Sequence, residues 1–284
     1  ARLGDEATIE TAGYGETREV NGVRVSLHPA GHVLGSAQVR VEHRGEVWVV
    51  SGDYKTTPDK STVEPFEPVA CHTFITESTF ALPVYRWRPQ EEVFAAINDW
   101  WRGNVERGRT SLLYGYALGK AQRMLAGIDA SIGPILVHGA VRRLNEAYEE
   151  AGVKMPACEY AGVDEAKKYK GAALVVAPPS MARSPWTKKF GKSSDAMASG
   201  WMAIRGTRRR RAMDRGFVLS DHADWQGVLD TIEATGAERV WTTHGYAHIL
   251  ARYLREKGLD AKAIETRFVG ESLAGDHDAA EGSE

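Results

Sequence analysis

Apolar and polar residues alternate from Val23 to Leu27, and apolar, β-branched stretches fill Ala37 to Glu42 and Val47 to Val50 between turn residues. A period of two sends successive side chains to opposite faces, so all three are predicted strands. Past Pro89 the period changes. Val93, Phe94, Ile97, Trp100 and Trp101 recur at helical spacing between Glu91 and Arg102, and Lys120 to Gly127 carries a second helix. The adjacent Trp100 and Trp101 are expected to pack, with at most one turned toward any single face. Ser111 to Tyr114, Ile135 to Val137 and Ala173 to Val176 are short runs closed by Gly, Pro or His, as in the buried strands of a parallel sheet. Beyond Gly216, Phe217 to Leu219 and Arg239 to Trp241 bracket a helix from Trp225 to Ala234, and a further helix spans His248 to Lys257. The pattern predicts a β-rich α/β domain interrupted by a second α/β domain.

The 284 residues, 43% of them hydrophobic, suffice for one large or two ordinary domains with real cores. No apolar run approaches the roughly 18 residues of a spanning helix, and the N-terminus lacks a secretory layout, so a cytoplasmic chain with no membrane partner is expected. Cys71 and Cys158 stand far apart, which predicts free thiols rather than a disulfide framework. Net charge is only −2, but its distribution is uneven. Arg205, Arg208, Arg209, Arg210, Arg211 and Arg215 form a basic block with Lys188, Lys189 and Lys192 before it, while acid gathers in the small, polar tail from 275 to 284.

Chemistry collects where the strands end. Gly31-His32, Gly52-Asp53, Thr76-Glu77, Asp221-His222 and Thr243-His244 each follow an apolar run, so five strand ends present His32, Asp53, Glu77, His222 and His244. Imidazole and carboxylate are usual ligands of zinc and similar ions, and a two-metal site needs several converging from separate elements. Of the remaining histidines only His138, in Val137-His138-Gly139, has a setting that could face a cleft.

In order along the chain, these motifs resemble those of the β-CASP branch of the metallo-β-lactamase superfamily. Gly31-His32-Val33-Leu34-Gly35-Ser36 is similar to the third metal motif, Gly52-Asp53 to the fourth, and Glu77-Ser78-Thr79 to motif A. Asp221-His222-Ala223-Asp224 is similar to motif B and Thr243-His244-Gly245 to motif C. The Ala177-Pro178-Pro179-Ser180 loop and the arginine run look most like bacterial exonucleases associated with DNA ligase. The resemblance implies an α/β protein: a metallo-β-lactamase αββα sandwich in 1–86 and 206–274, with a parallel α/β β-CASP insert at 87–205. It implies metal-assisted phosphodiester hydrolysis with two divalent ions, zinc or alternatively manganese. His32 would hold one metal, Asp53 bridge both and His244 hold the other. Glu77 and His222 would form a dyad in which the carboxylate fixes the imidazole tautomer and His222 donates a proton. The superfamily's His-x-His-x-Asp-His loop does not precede His32 in this sequence. A fragment of a longer protein is the expectation, and a divergent chain without a complete metal centre is the other explanation.

The turn from Gly115 to Lys120 places backbone N–H groups and Lys120 at a helix start, an arrangement suited to phosphate. With Ser180, Ser184, Lys188, Lys189 and the Trp186 and Trp201 rings it is expected to line a single-strand channel, though a core role is the more ordinary one for Trp201. Arg208, Arg209, Arg210 and Arg211 are expected to add phosphate contacts. The expected partner is nucleic acid, single-stranded DNA or DNA ends, with a DNA ligase or helicase as protein partner. His244 pulls instead toward RNA processing, and a catalytically silent nucleic-acid-binding subunit is a third reading from another class.

Overall fold

The computed structural model describes residues 10–59, 64–204, 206 and 213–265. The opening meander contains the three strands that the alternation predicts and adds one before them. Strands β1 (Thr17–Val20), β2 (Val23–Pro29), β3 (Ala37–His43) and β4 (Glu46–Val50) pair antiparallel in sequence order. Asn21-Gly22 and Arg44-Gly45 make two-residue turns with every residue at positive φ, the turn type whose twist matches that of a hairpin. Strand β5 (Thr73–Glu77) then adds parallel to β4.

The chain now leaves this sheet and builds a second. Helix α1 (Gln90–Glu106) leads to β6 (Thr110–Tyr114), α2 (Lys120–Gly127), β7 (Ile135–Val137), α3 (Gly139–Glu150), β8 (Glu159–Tyr160), α4 (Val163–Lys168), β9 (Leu174–Ala177), β10 (Ser193–Ala198) and β11 (Arg215–Phe217). Their order is β11-β10-β6-β9-β7-β8, and every neighbouring pair is parallel. Both faces are buried, as the unbroken apolar runs require. Leu113, Val137, Val176 and Ala196 pack on one side with Trp101, while Leu112, Leu136, Val175 and Met197 pack on the other with Phe80 and Phe190.

Helix α5 (Trp225–Thr235), β12 (Arg239–Thr243), α6 (Ala247–Glu256) and β13 (Asp260–Ala263) return to the first sheet, whose order is β1-β2-β3-β4-β5-β12-β13. Its core gathers Val49, Phe74, Val240, Ile232 and Leu250. Among the described residues this first domain has one mixed sheet, where the resemblance implies a two-sheet sandwich. No helix among them is long and apolar enough to cross a membrane.

Two further expectations change. The sequence pattern returns the chain to the first domain at residue 206, yet β11 pairs with β10, Met197 lying opposite Gly216. Phe217 and Leu219 both enter the second domain's core, and that burial holds the segment there. Trp100 and Trp101 enter the same cluster rather than different ones. Each buries its one polar atom with an acceptor, since the Trp100 indole N–H donates to Ser194 Oγ at 3.2 Å and that of Trp101 to the Ala172 carbonyl at 3.0 Å.

Candidate metal centre

His32 follows β2 on a loop that only glycine can open. Gly31 has φ +68°, and a Cβ there would lie 2.7 Å from the Lys55 carbonyl oxygen. The loop is closed by Ser36, whose Oγ accepts from the His32 amide at 3.1 Å. His32 Nδ1 lies 2.9 Å from the Asp221 carbonyl oxygen. A carbonyl only accepts, so Nδ1 carries the hydrogen and Nε2 is left with its lone pair. That Nε2 faces Asp53 Oδ2 at 4.0 Å.

His222 is built by the same logic. Its Nδ1 sits 2.9 Å from each carboxylate oxygen of Glu77, at the end of β5. Both side chains are buried. Burial alone would raise the Glu77 carboxyl, but the charge and hydrogen bond of His222, with bonds from Thr79 and the Tyr54 amide, hold it below its ordinary value. Tyr54 also ties the two loops together, its carbonyl accepting from the Ala223 amide at 2.8 Å. Trp87 braces the far side, its indole N–H donating to the His222 carbonyl at 2.9 Å. Asp224 caps α5 by accepting from the Gly227 amide at 2.8 Å, and it takes the Trp87 amide at 2.9 Å.

The rings of His32 and His222 stand 4.7 Å apart, and one ligand atom from each of His32, Asp53 and His222 falls within 4.8 Å of the others. Two ligands of one tetrahedral zinc ion are about 3.4 Å apart at the usual bond lengths, so the His32 and Asp53 atoms need close by only a few tenths of an ångström. Each imidazole has its outer nitrogen on a carbonyl or carboxylate, the support that orients metal-binding histidines. His32 and Asp53 therefore fit a divalent metal, with the Glu77-held imidazole of His222 beside them.

The sequence expectation also places His244 among the metal ligands. His244 follows β12, whose Thr243 is in register with Glu77. At His244 and Gly245 the chain runs through two successive left-handed residues, φ +58° and +53°. His244 Nδ1 meets Thr243 Oγ1 at 3.1 Å. Ser78 pins this turn, its hydroxyl donating to the Thr243 carbonyl at 2.8 Å and to that of His244. A Cβ on Gly245 would come within 2.5 Å of Thr79 Cα and 2.6 Å of the Ser78 carbonyl oxygen. Gly245→Ala is expected to cost about 1–3 kcal/mol of stability, read from urea unfolding, because neither backbone atom can yield.

Lys120 is corrected, from phosphate contact to buried anchor. Its ammonium pairs with Asp221 Oδ2 at 2.7 Å and donates to the Leu219 carbonyl at 2.9 Å, with the residue only 3% exposed. Arg123, which sequence reasoning missed, pairs with Asp221 Oδ1 at 3.1 Å and with Asp59 Oδ2 at 3.4 Å. Lys55 pairs with Asp59 as well, and burial followed by the neighbouring Arg123 cation pushes Lys55 down to about 6. Ser180 is exposed in the turn after β9, whereas Trp201 is buried against Phe80, their rings 4.6 Å apart. His138 accepts from the Ala140 amide at the start of α3 and packs on Trp186 at 5.2 Å. Arg208, Arg209, Arg210 and Arg211 lie outside the described residues.

No protein-family profile matches the chain. Among curated proteins, Probable DNA ligase of Opitutus terrae is 34% identical over 267 residues, 93% of this chain and 26% of that protein. Endoribonuclease ysh-1 of Neurospora crassa is 33% identical over 123 residues, 43% of this chain and 14% of that protein. Cleavage and polyadenylation specificity factor 73 of Drosophila melanogaster is 33% identical over 126 residues, 43% of this chain and 18% of that protein. The chain thus spans a minor part of each of these relatives. A protein of unknown function from Enterococcus faecalis has a similar fold, with TM-score 0.60 at 12% identity over 91% of this chain and 66% of that one.

Proposed function

Because this chain belongs to the β-CASP branch of the metallo-β-lactamase superfamily, we propose that it forms part of a metal-dependent nuclease that trims DNA ends. The observation that carries the chemistry is the convergence of His32, Asp53 and His222 beside the buried Glu77. His32, Asp53 and His244 would hold two divalent ions, zinc or manganese. Such an ion supplies positive charge for phosphoryl oxygens and acidifies water. Glu77, kept anionic, favours a protonated His222 and fixes Nδ1–H toward itself, so Nε2 is the atom that carries a proton toward the leaving oxygen. Phe80 and Trp87 cover the His222 imidazole and its carbonyl and restrict the ring to this orientation.

The choice of DNA ends rests on the relative that matches over most of this chain, which is named as a DNA ligase. A ligase needs clean 3′-hydroxyl and 5′-phosphate termini, and a nuclease in the same polypeptide is suited to prepare them. The endoribonuclease relatives support RNA as the alternative substrate. The test is to incubate the full-length protein with manganese or zinc and end-labelled single-stranded DNA, recessed duplex DNA and RNA of the same sequence. Shortening of DNA from its ends, abolished by chelator, is the expected result. Cleavage of RNA alone would transfer the assignment to RNA processing, and metal-dependent cleavage of neither would leave only a binding role.

The arginine block gives a separate expectation from its charge. Replacing Arg208 to Arg211 by alanine should weaken single-stranded oligonucleotide binding and reduce the slope of log affinity against log salt by about 0.7 for each phosphate left without a cation. An unchanged slope in a fluorescence-anisotropy titration would mean that the block serves solubility alone.

A further inference from the structure

The segment that leads into His222 belongs to the first domain by function and is held by the second. Three consecutive residues, Leu219, Ser220 and Asp221, each give an acceptor to α2. Lys120 takes the Leu219 carbonyl at 2.9 Å and Asp221 Oδ2 at 2.7 Å. Arg123 takes the Ser220 carbonyl and Asp221 Oδ1, the latter at 3.1 Å. Both cations are buried, so neither is a surface charge. The remaining acceptor of this stretch, the Asp221 carbonyl, fixes the tautomer and direction of His32.

A second set of contacts brings the His32 loop itself onto the inserted domain. The Leu34 amide donates to the Tyr148 hydroxyl on α3 at 3.1 Å. Gly119, at the start of α2, lies so close to Val33 that a Cβ there would meet Val33 Cγ1 at 2.2 Å. The two loops that carry His32 and His222 therefore share one support, and α2 is its centre.

We propose that Lys120 and Arg123 are positioning residues of the metal centre: through Leu219 to Asp221 they set the direction of His32 and the placement of His222. The inference rests on the metal-centre reading above and extends it, since it makes ligand geometry depend on how the inserted domain is seated. Partners one shell out from a metal typically change affinity or activity by about 10–100-fold when removed.

Removing Lys120 alone takes the cation from the buried Asp221 Oδ2, so the informative variant is the charge-balanced pair Lys120→Met with Asp221→Asn, made in the full-length protein. Arg123 then keeps Asp59, and the new amide oxygen still accepts from Arg123. Two measurements are made on samples that retain a cooperative thermal transition. Manganese affinity, read by competition with a chromophoric chelator, is expected to fall tenfold or more, and Lys120→Arg is expected to recover most of it. In metal-free protein, the ¹⁵N imidazole signals of His32 are expected to shift from a fixed Nδ1–H tautomer toward a mixture. A folded variant with wild-type affinity and unchanged His32 signals would overturn the proposal, since a merely structural role lowers the melting temperature and moves neither signal. Wild-type protein that takes up no manganese or zinc would instead sink the metal-centre reading, which the metal-free His32 signals do not depend on.

Discussion

His222→Ala is expected to lower phosphodiester turnover by about 10²–10⁴-fold while metal content stays within about threefold of wild type. The reasoning starts from Glu77, a buried carboxylate with both oxygens on His222 Nδ1. Such a partner favours the imidazolium, and an imidazolium gives up a proton rather than a lone pair. His32→Ala is expected to lose turnover and metal together, because the His32 Nε2 lone pair has Asp53 as its neighbour and no acidic partner on Nδ1. Glu77→Gln should follow His222→Ala in milder form, with the imidazole in place but less basic. Metal analysis after dialysis, beside single-turnover rates, separates the two roles. An empty site in His222→Ala would make His222 a ligand and remove the proton-donor assignment.

Asp221→Ala is expected to cost about 3–5 kcal/mol of stability, measured by urea unfolding at neutral pH, because it leaves Lys120 and Arg123 buried without their shared anion. The same carboxylate predicts an acid response. Burial would raise it, but Lys120, Arg123 and His32 outweigh burial and hold it well below the usual carboxylate range. A depressed carboxyl contributes stability above its unfolded value, near 3.9, and loses that contribution as pH falls through the folded value. Wild-type stability should therefore decline below about pH 4, and the Asp221→Ala protein should lack that part of the decline. A flat profile in the wild type would mean that Asp221 exchanges its proton alike in both states.

Much of this molecule is legible in the sequence because its elements are strongly periodic. Strands β2, β3 and β4, helices α1 and α2 and the buried strands β6, β7 and β9 follow from spacing alone, whereas β1 does not. Strand β10 does not, since Ser193-Ser194-Asp195-Ala196-Met197-Ala198 lacks the β-branched residues that mark strands, and its pairing with β6 and β11 decides it. The residues of the site are visible as acid and histidine at strand ends, but their grouping is not. His222 and His244 look equivalent in one dimension. Their surroundings separate them: α2 holds the segment before His222 from 97 to 99 residues away, and Ser78 pins the left-handed turn at His244-Gly245 from 165 and 166 residues away. Lys120 misleads for the same reason: a lysine at a glycine-rich helix start suits phosphate until a carboxylate from a distant segment reaches it first.

The pairing of β11 with β10 bears on how such proteins can be recombined. A chimaera that exchanges the inserted domain at its sequence-apparent boundary, near residue 205, would split a parallel sheet and orphan the edge of β10. It would also part Lys120 and Arg123 from the backbone they hold. The natural seam lies after Asp224, where the Trp87 amide and the α5 cap meet on one carboxylate. A donor segment running from Trp87 to Asp224 would carry its own acid, its own support for His32 and a closed sheet, so specificity could be swapped between relatives only together with the histidine that performs the chemistry.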